Sequence, residues 1–172
     1  MDQQRVHPAA RAEEDLLKEC KVSFGRTGGP GGQNRNKVET GVQITHLPTG
    51  QSGAAGERRS QMENRRVALF RLRINLALHE RGWFDLMQVP SELWNSRCSR
   101  EGHLSVNPRH HDYPAILAEA LDVLFALKLD PAKAAVLLGC SPSQLIKLIK
   151  DEPKALALVN QMRQGRKMRA LR

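Results

Sequence analysis

Four glycines within five positions, Gly28-Gly29-Pro30-Gly31-Gly32, followed by Gln33, make the segment of this sequence best suited to approach another molecule closely. The glycines free the backbone to take positive φ, and Pro30 fixes one point among them. Gln33 then offers an uncharged amide and a backbone N–H, with Arg26, Arg35 and Lys37 beside it as cations suited to phosphates. A glutamine is a weak general base, so chemistry here rests on positioning and on N–H donation to a developing oxyanion. On glycine content alone the segment also reads as an ordinary flexible turn. Neither a G-x-S-x-G elbow nor an H-E-x-x-H pair accompanies it. It is not a Walker A loop, because Gln33 follows Gly32 and the first lysine comes at Lys37. Cys98, His103, His110 and His111 are metal-ligand types, but their spacing fits no common site, and neither metal nor cofactor is expected.

The elements around this segment predict an α+β fold. A short amphipathic stretch over 9–19 carries Leu16 and Leu17 and leads into an alternating strand, Cys20–Phe24. After the glycine segment, Val42, Ile44 and His46 alternate with Gln43, Thr45 and Leu47 as a second strand, and Leu47-Pro48-Thr49-Gly50 supplies a tight turn. Ser52–Gly56 is a poor strand former, which leaves the partner strand in question. Ser60 and Glu63 form a capping box for a helix of about 21 residues with Val67, Phe70, Ile74 and Leu78 on its apolar side. Gly82 is its expected stop. Arg58 and Arg59 precede that helix, and Arg65, Arg66, Arg71, Arg73 and Arg81 lie along it. They read either as a solvated face or as a phosphate-binding one.

Three motifs in order carry a resemblance. Arg26-Thr27-Gly28-Gly29-Pro30-Gly31-Gly32-Gln33-Asn34-x-Asn36-Lys37-Val38 resembles the GGQ loop of class I peptide chain release factors. The turn Thr45–Gly50 is similar to theirs, as is Arg59-Ser60-Gln61-x-x-Asn64-Arg65 ahead of the long helix. The resemblance covers about residues 16–80 and implies a small β-α-β-β-α domain. It also implies hydrolysis of the ester between a nascent peptide and the 3′ end of a tRNA, with ribosomal RNA and peptidyl-tRNA as partners. In that reading Gln33 places water and its backbone N–H stabilises the tetrahedral intermediate, while Gly31 and Gly32 permit the backbone shape. The family's glutamine is often methylated, which makes Gln33 a modification site and a glutamine methyltransferase an expected partner. Arg26, Lys37 and Arg65 match positions that touch RNA or brace the loop. The family's codon-reading domain precedes its GGQ domain, and fewer than twenty residues precede the first strand here. The expectation is therefore codon-independent ribosome rescue, a function whose family members follow the domain with a basic tail.

The charge layout fits a polyanionic partner. The chain of 172 residues has a net charge of +9 and a pI near 10. Residues 1–82 hold 14 basic and 9 acidic side chains, a net +5. Residues 161–172 add Arg163, Arg166, Lys167, Arg169 and Arg172 with no acid. Arg26, Arg35, Lys37, Arg58, Arg59, Arg65, Arg66, Arg163, Arg166, Lys167 and Arg169 are the candidate RNA contacts, with a frayed terminus as the bland reading of the last four. Between these regions, 83–112 reads as a linker packed locally through Trp83, Phe84 and Trp94, and 113–160 as a neutral all-α unit. Within it, 131–150 has the spacing of a helix-turn-helix. Ala135 lies at the crossing, Gly139 in the turn, Ser141 and Pro142 start the second helix, and Leu138, Leu145 and Leu148 face the core. Ser143, Gln144, Lys147 and Lys150 would then be exposed, as a nucleic-acid face or as the outside of a scaffold. No apolar run approaches a membrane span, and no signal-peptide core or disulfide framework is evident. A cytoplasmic monomer is the expectation. Besides hydrolysis, a non-catalytic ribosome-binding factor (motivated by the weak 52–56 strand) and a helix-turn-helix DNA-binding regulator stay open.

Overall fold

A computed structural model describes residues 6–25, 40–82 and 88–172. Three antiparallel strands form one sheet in the order β1 (Cys20–Gly25), β2 (Gly41–His46), β3 (Ser52–Ala55). The register pairs Cys20 with His46 and Gly25 with Gly41 on one side of β2, and Val42 with Ala55 and Ile44 with Gly53 on the other. The helix that the resemblance places between the first two strands falls within 26–39, outside the described residues. Ahead of the sheet, a 3₁₀ turn at Pro8–Ala10 and helix α1 (Glu13–Lys18) bury Ala9 and Leu16.

Ser52–Ala55 of the weak segment does form a strand, and its small residues are the reason it fits. Helix α2 (Gln61–His79) lies so close that a Cβ at Gly53 would sit 2.2 Å from the Ala68 carbonyl oxygen and 2.3 Å from the Leu72 nitrogen. Val42 and Ile44 of β2 are buried, as are Ala68, Leu69, Leu72 and Leu76 of α2. Ser60 caps α2 by accepting the Glu63 N–H at 3.4 Å. At the other end α2 stops at His79, three residues short of Gly82. There the Arg81 guanidinium donates to the Ala77 and Leu78 carbonyl oxygens, filling acceptors that the helix end leaves open.

The regular elements that follow are all helices, so the fold is mixed α+β. Residues 88–112 hold α3 (Glu92–Arg97), and Trp94 is fully buried with its indole N–H donating to the Leu138 carbonyl oxygen at 2.8 Å. Helix α4 (Tyr113–Ala126) is buried along nearly its whole length, and the Tyr113 hydroxyl donates to the Leu148 carbonyl oxygen at 2.9 Å. Asp130 caps α5 (Pro131–Leu137). Gly139 turns the chain at φ +65°, and Ser141 then caps α6 (Pro142–Lys150). Leu138, Leu145 and Leu148 face the core, as their spacing predicts. Helix α7 (Pro153–Gly165) follows. One apolar core runs from the sheet through α2 into α4 and the later helices. No helix among the described residues is long and apolar enough to cross a membrane.

The last residues fold back on α7. The Leu171 N–H donates to the Asn160 side-chain oxygen at 2.7 Å, and the Asn160 amide donates to the Leu171 carbonyl oxygen at 3.1 Å. Lys167 adopts φ +57°, which lets the Met168 N–H reach the Arg163 carbonyl oxygen at 2.9 Å. This end is a packed helix cap and not a frayed terminus.

Candidate functional site

Arg26, Gly28, Gly29, Gly31, Gly32, Gln33, Arg35 and Lys37 lie outside the described residues, so the site is defined here by what holds its ends. Gly25 and Gly41 are paired, which brings the two ends of the 26–40 segment together at one end of the sheet. A single buried amide fixes the return strand. Asn64 has no exposed surface. Its Nδ2 donates to the Thr40 carbonyl oxygen at 2.7 Å and to the Arg58 carbonyl oxygen at 2.9 Å, and its Oδ1 accepts the Arg58 N–H at 2.9 Å. The residue before β2 is thereby tied to the segment entering α2. Sequence inspection found Asn64 only as part of a motif, since a half-polar position near a helix start gives no sign of such a clamp.

Asn64→Asp keeps the acceptor for Arg58 and loses both donated bonds, placing a carboxylate against two carbonyl oxygens. A loss of about 3 kcal/mol in unfolding free energy is expected. Denaturant titration of the variant beside wild type measures it, and an unchanged midpoint would refute the clamp.

Around this clamp, Arg58, Arg59, Arg65 and Arg66 are exposed at the N-terminal end of α2, where the helix dipole adds positive potential. The other three arginines of the series are structural, which corrects the phosphate reading for them. Arg71 donates to both Glu57 carboxylate oxygens and to the Ala54 carbonyl oxygen. The Gly56 N–H, with Arg71 adding to it, holds the Glu57 carboxyl below the usual carboxylate range. Arg73 donates to the Ala9 and Arg11 carbonyl oxygens at 2.9 and 2.8 Å. Arg81 pairs with buried Asp122 at 3.1 Å. Buried His46, read from the sequence as a strand residue and as part of the Thr45–Gly50 turn motif, bridges Thr49 Oγ1 at 2.8 Å and Glu19 Oε2 at 3.1 Å, joining the end of α1 to the β2–β3 turn.

The C-terminal cations divide. Arg166, Lys167 and Arg169 are exposed at and just past the C-terminal end of α7, the end away from Lys154. Arg163 is buried, donating from Nε to the Arg169 carbonyl oxygen at 2.7 Å and from Nη1 to the Leu129 carbonyl oxygen. Its guanidinium is spent inside the fold, which corrects its assignment as an RNA contact. On α6, Ser143, Lys147 and Lys150 are exposed, whereas Gln144 is half-buried and bonded to His103 at 3.0 Å. Of the four metal-ligand types, only His110 and His111 come together, beside Asp112. Asp112 already pairs with Arg97, and Cys98 points at the Gly139 carbonyl oxygen.

Residues 14–88 match the family model of the RF-1 domain. A chloroplastic peptide chain release factor of Arabidopsis thaliana is 55% identical over 64 residues, 37% of this chain and 13% of that one. Peptide chain release factor 1 of Chlorobaculum tepidum is 52% identical over 64 residues, 37% of this chain and 17% of its own. That of Chloroherpeton thalassium is 57% identical over 85 residues, 43% of this chain and 24% of its own. The chain thus spans between 13% and 24% of the length of these three relatives.

Proposed function

Because residues 14–88 are an RF-1 domain of the class I release factor family, we propose that the protein hydrolyses peptidyl-tRNA on the ribosome, independently of any codon, and so rescues stalled ribosomes. The observation that carries this reading is the Gly31-Gly32-Gln33 sequence set between two paired strand ends, Gly25 and Gly41, with Asn64 clamping the return at Thr40. In the reaction, the oxygen of water forms a bond to the ester carbonyl carbon and the bond to the terminal ribose oxygen breaks. The ribose oxygen takes up a proton, and the peptide leaves as a free acid. The Gln33 backbone N–H donates to the oxyanion formed midway, its side-chain amide holds the water, and Gly31 and Gly32 allow the close approach. No side-chain base is required.

Arg58, Arg59, Arg65 and Arg66 serve as phosphate contacts near the loop, together with Arg26, Arg35 and Lys37. Arg166, Lys167 and Arg169 form a second RNA contact, made by a folded surface and not by a free tail. In this scheme 1–82 carries the chemistry, while 113–160 and the basic end 161–172 anchor it. Gln33 is the residue a methyltransferase would modify, and the acting species is a cytoplasmic monomer. The non-catalytic alternative loses its motive, since Ser52–Ala55 pairs fully with β2.

The test is peptide release from ribosome complexes with a stop codon, a sense codon or no codon in the A site, wild type beside Gln33→Ala. Release from all three is expected, with the variant slower by about tenfold or more. Release confined to stop codons would make the protein a termination factor, and absence of release from all three would refute hydrolysis.

A further inference from the structure

A groove of about 1140 Å³ runs between α2 and the helical half of the protein, and the loop chemistry makes no use of it. Arg58 and Arg66 line it from the RF-1 domain. Arg109, just ahead of α4, and Lys154, at the start of α7, line it from the other half. All four side chains are exposed and carry no ion pair among the described residues. The carboxylates in the same lining are mostly engaged. Glu57 pairs with Arg71, Asp112 with Arg97, and Glu13 interacts electrostatically with Arg73, which leaves Glu152, acceptor of the Lys154 backbone N–H at 3.2 Å, as the one lining acid without a cationic partner among the described residues. Partly buried Phe70 gives the groove an apolar surface, and His111, whose side chain is 84% exposed, offers an imidazole face at its edge.

Unpaired cations on both walls, with an aromatic ring in the lining and an imidazole at the edge, are features that suit a single nucleic-acid strand. Phosphates meet arginine and lysine while unstacked bases lie on aromatic surfaces. We propose that this groove binds a single-stranded RNA segment, with Arg109 and Lys154 joining Arg58 and Arg66 as phosphate contacts. The proposal rests on the ribosomal reading above and extends it, because it makes the helical half part of the RNA-binding surface.

The probe is a fluorescent oligouridylate of about 12 nucleotides, titrated with the full chain over a series of salt concentrations. Arg109→Gln combined with Lys154→Gln is expected to lower the slope of log affinity against log salt by about 1.4, and to weaken binding roughly tenfold. Both positions are exposed, so the fold is retained. Lys128→Gln with Lys133→Gln removes the same charge from exposed positions outside the groove and is expected to leave the slope nearly unchanged. Equal losses in the two double variants would overturn the proposal. So would groove-dependent binding of polyglutamate in place of the RNA. Peptide release measured alongside separates the two readings. Groove-dependent RNA binding in a protein that releases no peptide supports the groove and refutes hydrolysis. Release combined with an RNA affinity indifferent to Arg109 and Lys154 refutes the groove and leaves hydrolysis standing.

Discussion

A Gly53→Ala variant is expected to melt about 10 °C below wild type, equivalent to a loss on the order of 4 kcal/mol. One methyl group achieves this because of what it meets. The added Cβ would lie 2.2 Å from the Ala68 oxygen, 2.3 Å from the Leu72 nitrogen and 2.9 Å from the Leu72 Cα. These are backbone atoms in the middle of α2, so no side chain can swing aside and the strand must move away from the helix. Doing so opens the contact between α2 and β3 and loosens the cover over Val42 and Ile44. Gly25→Ala, on the same sheet, meets nothing within 4 Å and serves as the comparison. Thermal unfolding of both variants decides the matter. A Gly53 variant that melts like the Gly25 variant would show that β3 does not pack as closely as described.

The same glycine shows where sequence reasoning stops. Ser52–Gly56 is discouraging as a strand because propensity scores a side chain's fit to a pleated surface, and here the fit required was the absence of a side chain. Local signals were legible wherever local chemistry decides. Ser60, Ser141 and Pro142 sit where capping rules place them, and the spacing of Leu145 and Leu148 identified the buried side of α6, whereas on α2 the predicted Val67 and Phe70 are half-buried and Ala68, Leu72 and Leu76 fill the core. Long-range pairings were not legible. Arg73 and Arg81 are spaced like solvated or phosphate-binding residues, and only tertiary packing gives them the Ala9 carbonyl and the Asp122 carboxylate. Arg163 belongs with them, since nothing in a run of basic residues marks the one whose side chain turns inward to Leu129 and Arg169. For the candidate site, the motif around Gln33 was visible at once. The clamp at Asn64 was not, because its partners are backbone atoms 6 and 24 residues away.

Arg81→Met is expected to destabilise the protein by about 3 kcal/mol or more at pH 8, and by only about 1 kcal/mol at pH 5. Asp122 is 6% exposed and accepts from Arg81 and from the Gly82 N–H, both at 3.1 Å. Burial pushes its carboxyl up to about 7, against the pull of Arg81. A carboxyl whose folded pKa lies above its unfolded one contributes stability that is complete below about pH 4 and is lost as pH rises through 7. Removing the Arg81 cation raises the folded pKa further, so the loss grows steeper and continues into alkaline solution. At pH 5 Asp122 is protonated in either protein, and what remains is the loss of the Arg81 bonds to Ala77 and Leu78. The neighbouring imidazole works in the opposite direction. His7 is half-buried, and the loss of solvent around its ring lowers its pKa to about 4. Its contribution is therefore present above the unfolded value near 6.5 and is lost as pH falls through 4. In wild type the two slopes oppose each other between about pH 4 and 6.5. Asp122→Asn should remove the carboxyl's share and expose a rise in stability with pH across that window. Introduced into the Arg81→Met protein, it should restore most of what was lost at pH 8. Urea unfolding of the three variants at pH 5 and pH 8 measures all of this. Equal destabilisation by Arg81→Met at both values would mean that the uncompensated Asp122 carboxylate is not its source.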